Sequence, residues 1–149
     1  MEAVIFVGIQ GAGKSTFCKA RFYDSHIRIN LDMLRTRRRE TLLFEACLEA
    51  SQKFVLDNTN LTREEREKYI LRAKEHEFKI VGYYFQTKIE KAIERNNQRE
   101  GKAKIPEKGL RGALKRLQIP AFEEGFDKLF YVWINDENQF AVKDFCATR

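Results

Sequence analysis

The sequence predicts an α/β fold: one parallel β-sheet of about five strands with helices on both faces. Three observations predict it. Apolar runs of strand length alternate with segments whose apolar residues recur at helical spacing, in the order βαβαβαβαβ. Several of those runs are apolar almost throughout, as strands covered on both faces are. The first run also ends in a glycine-rich turn that leads straight into a helical pattern.

Residues 3–7 form the first apolar run, followed by the turn and by Lys-Ser-Thr entering a helix. "IRIN" (27–30) is a second short strand, and "TLLFEACLEASQ" (41–52) carries apolar residues at helical spacing. "KFVLDNTN" (53–60) reads as a buried parallel strand with functional groups at its carboxyl end. Thr62 followed by Glu65 is a capping box that starts a helix running to about Glu75. "FKIVGYYF" (78–85) is strand-like in its β-branched and aromatic content, and Thr87 with Glu90 gives a second capping box ahead of "KIEKAIERNN" (88–97). "QREGKAKIP" (98–106) is polar, basic and glycine-containing, which predicts a loop. Pro106 suits the first turn of a helix that ends before Pro120. "KLFYVWI" (128–134) supplies the last core strand, and the apolar center of the tail "NDENQFAVKDFCATR" (135–149) suits an added edge strand. No repeat or linker divides the chain, so residues 1–149 are expected to form one domain.

With 149 residues, 43% of them hydrophobic, the chain has enough apolar surface for one core. A formal charge of +6 and a pI near 9.3 suit a polyanionic partner, and are also common in ordinary basic enzymes. No apolar run approaches the roughly 20 residues that cross a bilayer, and no leader-like segment opens the chain. A soluble cytoplasmic protein with no membrane partner is expected. Cys18, Cys47 and Cys146 are odd in number and lack ligand spacing, which predicts free thiols. His26 and His76 are too scattered for a metal site and read as structural or surface residues.

"GIQGAGKS" (8–15) fits G-x-x-x-x-G-K-[ST] between a predicted strand and a predicted helix, the context that a phosphate-binding loop needs. Gly11, Ala12, Gly13, Lys14, Ser15 and Thr16 would wrap ATP phosphates with backbone N–H groups at a helix N-terminus. Lys14 would reach the β and γ phosphates, and the Ser15 hydroxyl would ligate Mg²⁺. Asp57, at the end of an apolar strand, is placed to join Ser15 at the metal; a helix-cap or turn role is the alternative. Motors and AAA-type machines need a longer chain, and no Asn-Lys-x-Asp guanine-reading motif marks a switch GTPase. A kinase needs a carboxylate for the acceptor proton and lid arginines for the transferring phosphoryl. Asp32 is available as the first, with a helix N-cap as its other reading. Arg95 and Arg99, straddling the start of the glycine-containing loop, are available as the second.

The ordered set "GIQGAGKST", "NLDMLR", "LDNTN" and "RNNQRE" resembles the 5′-hydroxyl polynucleotide kinase family over nearly the whole chain. The resemblance implies a P-loop kinase fold with a lid loop. It also implies ATP- and Mg²⁺-dependent transfer of a phosphoryl group to the 5′-OH of DNA or RNA. It implies that Asp32, in the N-x-D-x-x-R segment of Asn30, Asp32 and Arg35, is the general base. Arg35 would hold the phosphate next to the acceptor nucleoside, and Asn58 and Asn60 of D-N-T-N would line the acceptor site. Some branches of the family carry an acid where Asn58 stands. Arg95 and Arg99 of R-N-x-x-R would contact ATP phosphates, with Arg99 and Lys14 acting beside Asp32 in catalysis. "IP" at 105–106 and "PAFEEGF" (120–126) also resemble the region after the lid in such kinases. The segment between Arg39 and Phe54 is short for the family, which reduces the acceptor-binding face.

Arg37, Arg38 and Arg39 either track further backbone phosphates or form a solvated basic helix face. Nothing resembles the D-x-D-x-T motif of a 3′-phosphatase, so any phosphatase or ligase partner is expected on another polypeptide. Two other readings stand beside this one. A kinase of a small-molecule hydroxyl would share the loop, aspartate and lid, and a non-catalytic ATP-binding module would share the loop alone.

Overall fold

The computed structural model describes residues 1–99 and 105–145. In chain order it contains β1 (Glu2–Val7), α1 (Lys14–Phe22), β2 (Ile27–Ile29), α2 (Leu31–Leu34), α3 (Arg37–Glu49) and β3 (Phe54–Leu56). There follow α4 (Arg63–Glu75), β4 (Lys79–Phe85), α5 (Ile89–Asn97), α6 (Glu107–Arg116), a 3₁₀ turn (Phe122–Glu124), β5 (Lys128–Ile134) and β6 (Phe140–Asp144). These strands form one sheet in the order β2-β3-β1-β4-β5-β6. The first five are parallel to their neighbours and β6 is antiparallel to β5, with Ile134 opposite Phe140 and Phe130 opposite Asp144. The expected sheet of about five parallel strands is present, and the tail adds the sixth as an edge strand.

Burial on both sides explains why the central strands are apolar without alternation. Residues 3–7 of β1 are all buried. Ala3, Ile5 and Val7 join the face packed under α3 and α4 through Phe44, Leu48, Tyr69 and Ile70. Val4 and Phe6 join the opposite face, where Phe17, Cys18 and Phe22 of α1 pack with Phe85. β1 lies between β3 and β4, so the chain leaves it in opposite directions on its two sides. A crevice opens at the carboxyl end of such a strand, where ligands of doubly wound sheets bind.

Three local expectations are corrected. The helix expected from residue 41 begins at Arg37, because Thr36 caps it by accepting a hydrogen bond from Arg39 N at 3.1 Å. The capping box at Thr87 and Glu90 does not form: α5 starts after Lys88 without a side-chain cap, and the Thr87 hydroxyl instead accepts from Arg95 Nη1 at 3.3 Å. Asp32 is not a helix N-cap either. That role belongs to Asn30, whose Oδ1 accepts from Met33 N at 2.9 Å. By contrast Thr62 does cap α4, accepting from Glu65 N at 3.2 Å. Pro106 is the residue before α6. Most of the expected lid loop, residues 100–104, and Cys146 lie outside the described residues. Cys18 and Cys47 are buried free thiols. The buried His26 ring shares a hydrogen bond with Glu2 at 2.8 Å, a structural role. Among the described residues no helix is long and apolar enough to cross a membrane.

Candidate active site

The loop between β1 and α1 turns through two glycines with left-handed backbone, Gly11 at φ 82° and Gly13 at φ 90°. Any other residue would be strained there. Gly8 N donates to Thr59 O at 3.0 Å, which ties the loop to the chain leaving β3. Lys14, the first residue of α1, folds back over the loop and donates from Nζ to Gly8 O at 2.9 Å and Ile9 O at 2.7 Å. It is only 8% exposed. Burial pulls its pKa down to about 8, helped by the positive charge of Arg99 and opposed by Asp57 and Asp32. Four charged side chains from distant parts of the sequence therefore share one electrostatic environment.

A cavity of about 220 Å³ occupies this crevice, lined by Gln10, Gly11, Gly13, Lys14, Ser15 and Thr16 from the loop and α1. Asn30, Leu31, Asp32 and Arg37 line it from the α2 side, and Asp57, Asn58, Thr59, Asn60, Glu65 and Arg99 complete it. Ala12 is buried and contributes backbone to the loop. Asp57 caps the end of β3, 1% exposed, and its Oδ2 accepts from Ser15 Oγ at 3.0 Å. Oxygen donors of this kind suit Mg²⁺, which takes few protein ligands and completes its shell with phosphate and water. Among the described residues no group of three or more His, Cys, Asp and Glu converges as a metal cage.

Asp32 is exposed on the first turn of α2 and lines the cavity, its segment held by two asparagines. Asn30 Nδ2 donates to Asp57 O at 2.6 Å, and Leu31 N donates to Asn58 Oδ1 at 2.9 Å. Asn58 Nδ2 in turn donates to Glu40 Oε2 at 3.0 Å. Asn60 is buried and spends its amide on Phe6 O at 2.8 Å, so the described role of its side chain is to lock the β3 exit to β1. Arg35 stands outside the cavity lining, exposed at the junction of α2 and α3 with φ 76°. Arg37, one of the arginines with an open reading, lines the cavity instead. Arg38 and Arg39 are exposed on the first turn of α3. Arg99 lines this first cavity, whereas Arg95 donates from Nη1 to Gly11 O at 3.1 Å and lines a second cavity. That second cavity, about 710 Å³, lies against Tyr84, Thr87, Lys91, Trp133, Asn135 and Lys143.

Sequence reasoning missed two residues. Arg28, in the middle of β2, donates from Nε to Asp57 Oδ2 at 2.7 Å and from Nη2 to Ser15 Oγ at 3.1 Å. A cation between two isoleucines in a three-residue strand was the available signal. Glu40 is buried, 1% exposed, and accepts from Tyr69 OH, Asn58 Nδ2 and Arg37 Nη1. Burial and this bond to the carboxylate push the Tyr69 hydroxyl well above its ordinary pKa. Glu40 lies beyond the reach of motif reading, since a glutamate one turn after an arginine usually marks a solvated helix face.

A strand, a glycine-rich loop with its lysine and serine on a following helix, and a second strand ending in the paired aspartate define a P-loop protein that binds nucleotide phosphates. The comparisons agree. A family model described as "AAA domain" matches residues 4–120, and the chain belongs to that family. The matched range begins in β1 and takes in the glycine-rich loop, so a chain of 149 residues accommodates it although AAA-type machines are longer. The chain is 33% identical over 132 residues to the bifunctional polynucleotide phosphatase/kinase of Schizosaccharomyces pombe, covering 84% of this chain and 32% of that protein. It spans about a third of the length of the curated relatives it matches. Among solved structures, Kti12 of Chaetomium thermophilum in complex with ADP-AlF3 superposes with a TM-score of 0.67, at 15% identity over 91% of this chain and 92% of that one. A gluconokinase from Sinorhizobium meliloti gives 0.60, at 19% identity over 88% and 81%. The P-loop kinase fold and the similarity to polynucleotide kinases read from the sequence are thereby borne out.

Proposed function

We propose that the protein is a polynucleotide 5′-hydroxyl kinase that transfers the γ-phosphoryl group of ATP to the 5′-OH of DNA or RNA. The observation that carries this reading is the position of Asp32. Relieved of capping by Asn30, its carboxylate lines the same cavity as Lys14 and Arg99. The kinase part of the relatives' names supports a nucleic-acid acceptor.

Lys14 leaves the loop carbonyls to hold the β and γ phosphates, and the backbone N–H groups around Gly11 to Thr16 cradle the rest. Ser15 and Asp57 would hold Mg²⁺, which would supply neutralisation of phosphate charge there. Arg95 borders the larger cavity, where Tyr84 and Trp133 suit the base of the nucleotide. Asp32 takes the proton of the 5′-OH as its oxygen forms a bond to the γ phosphorus and the bond from that phosphorus to ADP breaks. Arg99 balances the charge that spreads over the transferring oxygens. Asn58 fixes the acceptor side through Leu31, while Arg35, Arg37, Arg38 and Arg39 receive the backbone phosphates that follow the reacting nucleoside. The relatives' names join a phosphatase to the kinase; such a function, where it accompanies this chain, belongs to a separate segment or partner.

Asp32→Asn tests the assignment. Turnover is expected to fall by roughly 10²–10⁴, the usual worth of a general base, with ADP affinity within about twofold. Near-normal turnover removes Asp32 from that role.

A further inference from the structure

Arg28 is used by none of the steps above, yet it lies across the two side chains that receive the metal. Its guanidinium donates to Asp57 Oδ2 at 2.7 Å and to Ser15 Oγ at 3.1 Å, while Ser15 Oγ donates to the same Asp57 oxygen at 3.0 Å. The three groups form a closed ring of hydrogen bonds around a carboxylate that is 1% exposed. Nη1 also lies 3.7 Å from Met33 Sδ, on the short helix that carries Asp32. The Arg28 side chain is 34% exposed, so it has room to withdraw from the ring.

Ser15 has one proton, given to Asp57, and one of its two lone pairs accepts from Arg28. A divalent cation that takes the other Ser15 lone pair, or binds Asp57 Oδ2, meets the guanidinium charge at close range, because that group sits 2.7 and 3.1 Å from the same two oxygens. We propose that Arg28 is a resident cation of the metal site. It holds Ser15 and Asp57 together before a divalent cation enters, is driven back by like charge when one does, and so sets how much Mg²⁺ the nucleotide complex requires. The proposal rests on the phosphate-loop reading of residues 8–15.

The test measures ADP binding by calorimetry in EDTA and across a Mg²⁺ series, for the wild-type chain, Arg28→Met and Arg28→Lys. Arg28→Met keeps the aliphatic stem and removes the charge and both donors. It is expected to lower the Mg²⁺ concentration at half-effect by about tenfold or more, the worth of a charge-assisted hydrogen bond. It should also weaken ADP binding in EDTA severalfold. Arg28→Lys has one point charge that does not span both oxygens, and should lower the midpoint by less. A second readout needs no nucleotide: Mg²⁺ alone should raise the melting temperature of Arg28→Met and leave that of the wild type flat. A Mg²⁺ midpoint unchanged in both variants overturns the proposal while leaving the phosphate loop intact. Wild-type protein that binds no ADP with or without Mg²⁺ overturns the phosphate-loop reading itself, and the proposal with it.

Discussion

The burial of Lys14 leads to a pH dependence that most phosphate-binding surfaces would not show. In the unliganded protein its pKa is lowered to about 8 from an ordinary 10.5, chiefly because the ammonium is taken out of water. It is then about nine-tenths charged at pH 7 and about one-tenth at pH 9. Nucleotide phosphates hold the lysine protonated, so binding at the higher pH must first recover the proton. If the bound-state pKa lies above 9, ADP affinity falls by about tenfold between pH 7 and 9, a loss of about 1.4 kcal/mol. Titration of the ADP phosphate acts the other way, since a more negative ligand binds more tightly as pH rises. Calorimetry in two buffers of different ionisation enthalpy should show uptake of roughly half a proton per ADP at pH 8, rising toward one at pH 9. Lys14→Met should bind more weakly, without that uptake. The same shift makes the unliganded fold gain stability as pH rises from about 8 to about 10.5, because the unfolded chain holds the proton longer. Affinity that is flat or tighter at pH 9, with no proton uptake, would show that Lys14 keeps its proton in the unliganded protein.

Three further outcomes are expected. Arg66 is fully buried and pairs with Glu124 in two bonds of 2.8 and 3.0 Å, so Glu124→Ala strands its charge at a cost of about 3–5 kcal/mol. Its melting temperature should fall by roughly 6–15 °C, and a drop within experimental error would contradict the assigned burial. Glu40→Ala removes the acceptor of Tyr69, Asn58 and Arg37, and so loosens the short helix bearing Asp32. Steady-state kinetics should show turnover lowered by about tenfold, with ADP affinity within about twofold; a loss confined to ADP binding would refute the positioning role. For a single-stranded acceptor, Arg38→Ala with Arg39→Ala should reduce the salt slope of the acceptor KM by roughly 1.4, whereas a small-molecule acceptor would show no such slope.

The parts of the fold that were legible in the sequence are those where one physical cause dominates. Two-sided burial makes β1 and β3 apolar without alternation, and β5 was bounded to the residue at 128–134. The phosphate loop was legible because its glycines answer a backbone demand local to eight residues. Boundaries decided by competing hydrogen bonds were not. Thr87 has the residue type for a cap, but Arg95, eight residues on in the last turn of α5, claims its hydroxyl. Asn30 and Asp32 compete for one cap, and the asparagine wins while also donating to Asp57 O. The contacts of Arg28 and Glu40 were illegible for a second reason. Their partners lie 29 residues away at Asp57 and at Tyr69, and no local spacing encodes such contacts.

Polynucleotide kinase activity is measured by incubating the protein with γ-labelled ATP and Mg²⁺ and a pair of otherwise identical oligonucleotides, one ending in a 5′-OH and one in a 5′-phosphate. Label is expected on the 5′-OH strand alone and should be abolished by Asp32→Asn. ATP bound with no label on either strand, in DNA or RNA form, would contradict that activity.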